Sequence, residues 1–326
     1  MVRTSLIQVN FFHSIQDRLQ QVEQVMRSQA ERHHPDLGSA LEHLLSSGGK
    51  RIRPAVALLT GGMLGGDADR LVTLGAAIEL LHTATLVHDD LIDGALLRRG
   101  IATLNSQWSP AATVLTGDFI FARAAKLAAE TDSLSVMRLF AETLATIVSG
   151  ELTQMFTSRG LVSMQDYLQR IYAKTASMFE LATAAAAMLS PVNETVVEQV
   201  RQFGYDIGMA FQIVDDVLDF TGEQATVGKP VGSDLRQGLI TLPALYYIEA
   251  NPTDPDVTWL QEGNLFSDER MDRLVVSIRH SGVIERSLDE ARRYVDCALI
   301  GLQNQPDGEQ RQALEELGNY IVRRSM

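Results

Sequence analysis

One cysteine and nine prolines in 326 residues leave little from which to build a disulfide scaffold or a turn-rich strand architecture. A single thiol, Cys297, cannot form an internal disulfide, so the expected setting is reducing and cytoplasmic. Basic charge is also scarce: 28 Lys and Arg stand against 41 Asp and Glu, a formal net charge of -13. That balance argues against a nucleic-acid partner, whose footprint is a basic face. The N-terminal MVRTSLIQVNFFHSIQDRLQ lacks a basic region followed by a sustained apolar core and a cleavage site. Long apolar runs look absent too, LATAAAAML (181–189) being short and Ala-rich, so the chain is expected not to span a membrane.

What is present is helical periodicity. Apolar residues recur at three- and four-residue spacing in SIQDRLQQVEQVMRSQA (14–30) and MDRLVVSIRHSGVIERSLDEARRYVDCALIGL (271–302). The fold class expected is all-α. Gly- and Pro-bearing breaks fall at 46–54, 61–70, 97–110, 157–163, 189–194, 221–243 and 250–256. None resembles a long linker, so residues 1–326 are expected to form one helical domain. The stretch 221–238 is the longest irregular one, and long loops in compact domains are often functional lids.

Charge sits where apolar background makes it conspicuous. LVHDDLIDGALLRRG (86–100) concentrates three aspartates and two arginines, and a buried carboxylate is costly unless something satisfies it. On a helix over 76–93, Glu79, His82, Leu86, Asp89 and Asp93 share one stripe. Asp89 and Asp93 then lie one turn apart, about 6 Å. Alone, such a pair also reads as an exposed acidic helix end. GYDIGMAFQIVDDVLDFTG (204–222) repeats the DDxxD spacing with Asp215, Asp216 and Asp219, on a stripe shared with Gly208 and Gln212. Two such helices would wall a negative cleft. Carboxylates select hard cations, and Mg²⁺ completes its shell with phosphate oxygens, so the pattern points to Mg²⁺ and a diphosphate substrate.

Cations flank these motifs. GGKRIRP (48–54) offers Lys50, Arg51 and Arg53 after a flexible Gly pair and before a helix that Pro54 is suited to start. Arg98 and Arg99 follow the first motif, and Lys174 with Thr175 sits in RIYAKTASMFE. Each alone also reads as a surface cation.

Taken in order, GGKRIRP, ELLHTATLVHDDLID, LRRG, TGDFIFARA, SGELTQM, AKTASMFE, AFQIVDDVLDFTG and GKPVGSDL resemble the trans-isoprenyl diphosphate synthases, the polyprenyl synthetase family. The resemblance covers nearly the whole chain and implies the all-helical isoprenoid synthase fold around a central cavity, usually as a homodimer. By position it implies Mg²⁺ held by Asp89, Asp90, Asp93, Asp215, Asp216 and Asp219, with Asp89, Asp93, Asp215 and Lys174 catalytic. Arg98, Lys174, Thr175, Gln212 and Lys229 match its allylic-diphosphate contacts; Lys50, Arg53, His82 and Arg99 match its isopentenyl-diphosphate site. The implied reaction ionises the allylic C–O bond, and the isopentenyl double bond attacks the resulting cation. No side-chain nucleophile is required. One position departs: Leu239 stands where a lysine is common, and Arg236 is a candidate to replace it in part.

Product length is expected to depend on residues below Asp89. Ala84, about 7.5 Å deeper along the helix, and Thr85 are small where short-chain relatives carry aromatic rings. A long-chain all-trans product, of the kind used for quinone side chains, is therefore expected. The alternatives are a geranylgeranyl or farnesyl diphosphate synthase, or the catalytic subunit of a heteromeric synthase. A second full DDxxD argues against a class I terpene cyclase and against a regulatory subunit. VHDD (87–90) lacks the further His and Asp ligands of an HD-type phosphohydrolase.

Overall fold

A computed structural model describes residues 10–31, 33–46, 48–98, 100–157, 162–222, 231–261 and 268–324. It is helical nearly throughout, as expected. A 3₁₀ turn, Asn10–Ile15, leads into α1 (Gln16–Ser28), followed by α2 (Pro35–Ser46), α3 (Ile52–Met63) and α4 (Ala68–Ile92). A two-stranded antiparallel hairpin, β1 (Leu97–Arg98) and β2 (Ile101–Ala102), interrupts the helices. Then come α5 (Pro110–Glu130), α6 (Leu134–Thr157), α7 (Met164–Ile171), a π-helical turn (Tyr172–Ala176), α8 (Ser177–Met188) and α9 (Glu194–Thr221). The chain closes with α10 (Ser233–Arg236), α11 (Leu242–Ala250), α12 (Pro255–Gln261), α13 (Asp268–His280), α14 (Val283–Leu302) and α15 (Glu309–Arg323).

Packing divides the chain into two compact units, each discontinuous in sequence. The first comprises Met1–Ala141, Glu180–Gln202 and Gly301–Leu317; the second comprises Glu142–Phe179, Phe203–Ile300 and Gly318–Met326.

The first unit is built on α4, which packs against α5, α3 and α1. Leu71, Leu74, Ile78, Leu80 and Leu81 have no exposed surface, so the helix is apolar on every side rather than along one stripe. This corrects an expectation: α4 is long and apolar enough to cross a membrane by length and composition. Its Glu79 breaks the run in the sequence without breaking its overall hydropathy, and 78% of the apolar window is buried inside the protein. Asp67 caps its start, its side chain accepting from Arg70 N at 2.9 Å.

In the second unit, α14 buries Val283, Leu288, Ala291, Val295 and Ala298 along one helical stripe. The continuous periodicity of 271–302 hides a break, because Gly282 takes a φ of +78° and separates α13 from α14. A Schellman turn ends α10: Leu239 N donates to Asp234 O at 2.8 Å and Gly238 N to Leu235 O at 2.9 Å, with Gly238 left-handed.

Candidate active site

The first aspartate motif ends α4. Asp89 is half-buried and Asp93, the C-cap, is exposed. Asp90, about 100° round the helix from Asp89, points into the protein and is only 6% exposed. Its charge is met by Arg98 on β1: Nε lies 2.9 and 3.1 Å from the two carboxylate oxygens, and a terminal nitrogen lies 2.8 Å from Oδ1. The hairpin thus folds the arginine back onto the motif. Two residues taken from the sequence as a metal ligand and a diphosphate contact here form an ion pair with each other.

A second ion pair involves the same helix. Arg51, the left-handed residue at the start of α3, donates to Glu79 Oε1 and Glu23 Oε1, each at 3.1 Å, and to Leu45 O at 2.9 Å. Arg51 therefore does not join the anion site that the sequence drew from Lys50, Arg51 and Arg53. Its task is to satisfy the buried Glu79. Lys50 is exposed and Arg53 and His82 are half-buried. His88 turns away to lie across α5, where a β-carbon at Gly117 would come within 2.1 Å of its Nε2.

The second motif, near the end of α9, uses different partners. Asp215 pairs with Arg324 at 2.8 Å and keeps 39% of its side chain exposed. Asp216 is 3% exposed and is held by neutral donors, the Tyr167 hydroxyl and Gln212 Nε2, each at 2.8 Å. Burial pushes its carboxyl up to about 7, the two hydrogen bonds only partly opposing the shift. Asp219 accepts from Ser233 N (3.1 Å), Ser233 Oγ (2.9 Å) and Asp234 N (3.1 Å), anchoring the segment that carries α10.

Lys174 and Thr175 lie on the π-helical turn, an irregularity that the sequence pattern does not reveal and that often marks functional sites. The turn is gripped closely. A β-carbon at Gly208 of α9 would sit 2.5 Å from Ala176 Cα, and one at Gly150 of α6 would sit 2.5 Å from Ala173 Cβ. Lys174 donates to Glu151 at 3.0 Å, and the Thr175 hydroxyl to Gln212 Oε1 at 2.6 Å. The structure therefore brings Thr175, Gln212 and Asp216 into one hydrogen-bonded group.

Arg99 and Lys229 lie outside the described residues. Ala84 has no exposed surface, whereas Thr85 is half-buried, its hydroxyl donating to His82 O at 2.8 Å. Leu239 is half-buried. Arg236, the candidate to replace a lysine there, is engaged by Asp272 and by Val231 O at 3.1 Å. Tyr167, Glu151 and Arg324 were not singled out from the sequence. Each is distant along the chain from the group it meets, and no local spacing announces it.

Within each motif the carboxylate donors suit a hard divalent cation. On α4, Asp93 is exposed and Asp89 half-buried while Asp90 is turned inward; on α9, Asp215 is 39% exposed while Asp216 is turned inward. Among the described residues no three acidic, histidine or cysteine side chains form a complete cage. A cation taking one or two carboxylates and filling its shell with water and phosphate oxygens fits such donors.

Residues 34–271 match the polyprenyl synthetase family. The chain belongs to that family. A heptaprenyl diphosphate synthase component 2 from Geobacillus stearothermophilus is 37% identical over 311 residues, spanning 95% of this chain and 97% of the relative. An octaprenyl diphosphate synthase from Haemophilus influenzae is 31% identical over 330 residues, with 100% of both chains covered. Among solved structures, the polyprenyl synthase of Caulobacter crescentus, complexed with calcium and isoprenyl diphosphate, matches with a TM-score of 0.91 at 34% identity and 98% coverage of both chains. The polyprenyl synthetase family thus accounts for the helical fold and for the order of the motifs.

Proposed function

We propose that this polyprenyl synthetase is a prenyltransferase that condenses isopentenyl diphosphate head-to-tail with an allylic diphosphate, giving a long-chain all-trans polyprenyl diphosphate. The observation that carries the reading is the outward presentation of Asp89, Asp93 and Asp215 on otherwise apolar helices, in a chain matched to the family over 34–271. Mg²⁺, when bound, would draw negative charge from the departing diphosphate. Lys174, Gln212 and Arg98 would contact that diphosphate, Lys174 being steadied by Glu151. Apolar walls would keep water from the allylic cation. Lys50, Arg53 and His82 would hold the isopentenyl diphosphate, whose double bond attacks; the released diphosphate is a base available for the proton then lost.

Long products are supported by the hepta- and octaprenyl synthases to which the chain is similar and by the small Ala84 and Thr85 below Asp89. Purified protein incubated with labelled isopentenyl diphosphate, Mg²⁺ and geranyl, farnesyl or geranylgeranyl primers should yield products longer than geranylgeranyl diphosphate. Thr85→Phe or Ala84→Phe should shorten them without stopping condensation. Wild-type product ending at farnesyl or geranylgeranyl diphosphate would refute the length assignment.

A homodimer is the assembly proposed. Val148, Leu152, Met155 and Phe156 form an exposed apolar face on α6, Phe156 being 82% exposed, which supports a covering protein surface. The name component 2 of the Geobacillus relative favours a second reading, a catalytic subunit that needs a different partner chain. Light scattering and activity of the purified chain alone separate the two. The exposed, unbridged Cys297 goes with a cytoplasmic location.

A further inference from the structure

The hydrogen bonds behind Gln212 give a task to a residue outside both aspartate motifs. Tyr167, with no exposed surface, donates its hydroxyl to Asp216 Oδ2 at 2.8 Å. Asp216 Oδ1 accepts from Gln212 Nε2 at 2.8 Å, and Gln212 Oε1 accepts from the Thr175 hydroxyl at 2.6 Å. As placed, both Asp216 oxygens accept, Oδ2 from the tyrosine hydroxyl and Oδ1 from the amide nitrogen. With Tyr167 and Gln212 both donating to Asp216, the Gln212 carbonyl faces Thr175, and Thr175 donates to it in turn. Two donors meeting on one buried carboxyl give the chain its direction.

The surroundings hold this chain at both ends. Arg170 donates to Ile240 O at 2.6 Å and places its guanidinium 5.5 Å from the Tyr167 ring centroid. At the other end, Gly208 lets α9 lie directly on the π-helical turn that carries Thr175. Asp216 itself is 3% exposed, with both oxygens taken, while the adjacent Asp215 is 39% exposed.

We propose that Asp216 is not a metal ligand but, with Tyr167, a positioning pair that locks the Gln212 amide in one of its two orientations. The locked amide keeps its second Nε2 hydrogen for an oxygen of the allylic diphosphate. A freely flipping glutamine would present its carbonyl to that anion half of the time. The inference rests on the proposed prenyl transfer for the identity of the anion, and its metal arm needs no turnover.

Tyr167→Phe, Asp216→Asn and the double variant test it beside Asp215→Asn. Mn²⁺ binding in the presence of inorganic diphosphate, read by electron paramagnetic resonance, should be unchanged in Tyr167→Phe and Asp216→Asn and weakened in Asp215→Asn. Steady-state kinetics should show kcat about 10- to 100-fold lower in Tyr167→Phe, the scale expected for a misplaced catalytic group, with KM for isopentenyl diphosphate unchanged. The double variant should be no worse than the worse single one, because both cut the same chain. Mn²⁺ binding weakened in Asp216→Asn as much as in Asp215→Asn overturns the proposal. So does wild-type kcat in Tyr167→Phe, or additive losses in the double variant. Tyr167→Phe removes one oxygen and keeps the ring, so it carries the test alone if Asp216→Asn does not fold. Failure of wild type to make any prenyl product would refute the proposed function, while the metal arm still decides the part played by Asp216.

Discussion

The two aspartate motifs share one spacing and solve the same problem by different means. In each, the middle aspartate turns inward from the stripe of the outer two. Asp90 meets a cation, Arg98, delivered by a two-residue strand. Asp216 meets neutral donors, Tyr167 and Gln212, rather than a cation, and burial raises its carboxyl. The first arrangement holds a loop against a helix. The second orients a side chain that is expected to touch substrate. Identical spacing in sequence therefore does not imply identical work, because the partner of a buried carboxylate comes from elsewhere in the chain.

The outer aspartates give the sharpest contrast. Asp89→Ala or Asp215→Ala should lower kcat by about 10²–10³-fold, the usual cost of removing one group that stabilises developing charge. Circular dichroism should show the fold intact. Wild-type turnover in both variants at saturating Mg²⁺ would remove the central claim.

Substitution of the inner Asp90 should instead be felt in stability. Asp90→Ala strands Arg98 and should cost about 1–3 kcal/mol in urea unfolding, the range for a lost hydrogen bond to a charged group, tempered by the partial exposure of Arg98. An Arg98→Met change made together with it should cost little more, since the pair is already broken. Additive losses would mean that the two residues act separately.

Glycines beside the motifs extend the comparison. Gly208→Ala drives a β-carbon into backbone, 2.5 Å from Ala176 Cα, whereas Gly117→Ala meets the His88 ring, which can rotate away. The first should cost about 1–3 kcal/mol and displace Lys174 and Thr175, with a fall in kcat; the second should cost less. Equal losses in thermal unfolding would show that the π-helical turn yields as easily as a side chain.

A pH signature of the second motif completes the comparison. With metal removed by chelator, folded Asp216 keeps its proton up to about 7, while the unfolded carboxyl releases it near 3.8. Between those values the folded state binds more protons, so stability falls as pH rises through that window. Asp216→Asn should flatten this slope. An unchanged slope would mean that other groups set it.

Much of this was legible in the sequence because it depends on local spacing. Period-3.6 apolar residues announce helices, Gly282 excepted, and the doubled DDxxD in an apolar background announces two carboxylate-bearing helices. What stayed hidden depends on partners far along the chain. Arg51 looked like an anion ligand until its meeting with Glu79, 28 residues away, made it internal. Tyr167 reaches Asp216 across 49 residues, and Arg324 reaches Phe211 O across 113. The apolar run of α4 was underrated for the same reason, since only packing on several sides makes such a helix part of a core. Periodicity and charge by themselves determined the helical class, the acidic stripes and the diphosphate chemistry they suit, because each follows from the backbone's own geometry. Only the tertiary structure decided which carboxylates remain outward and which are satisfied within, because desolvation and hydrogen-bond direction are set by groups that sequence neighbours do not supply.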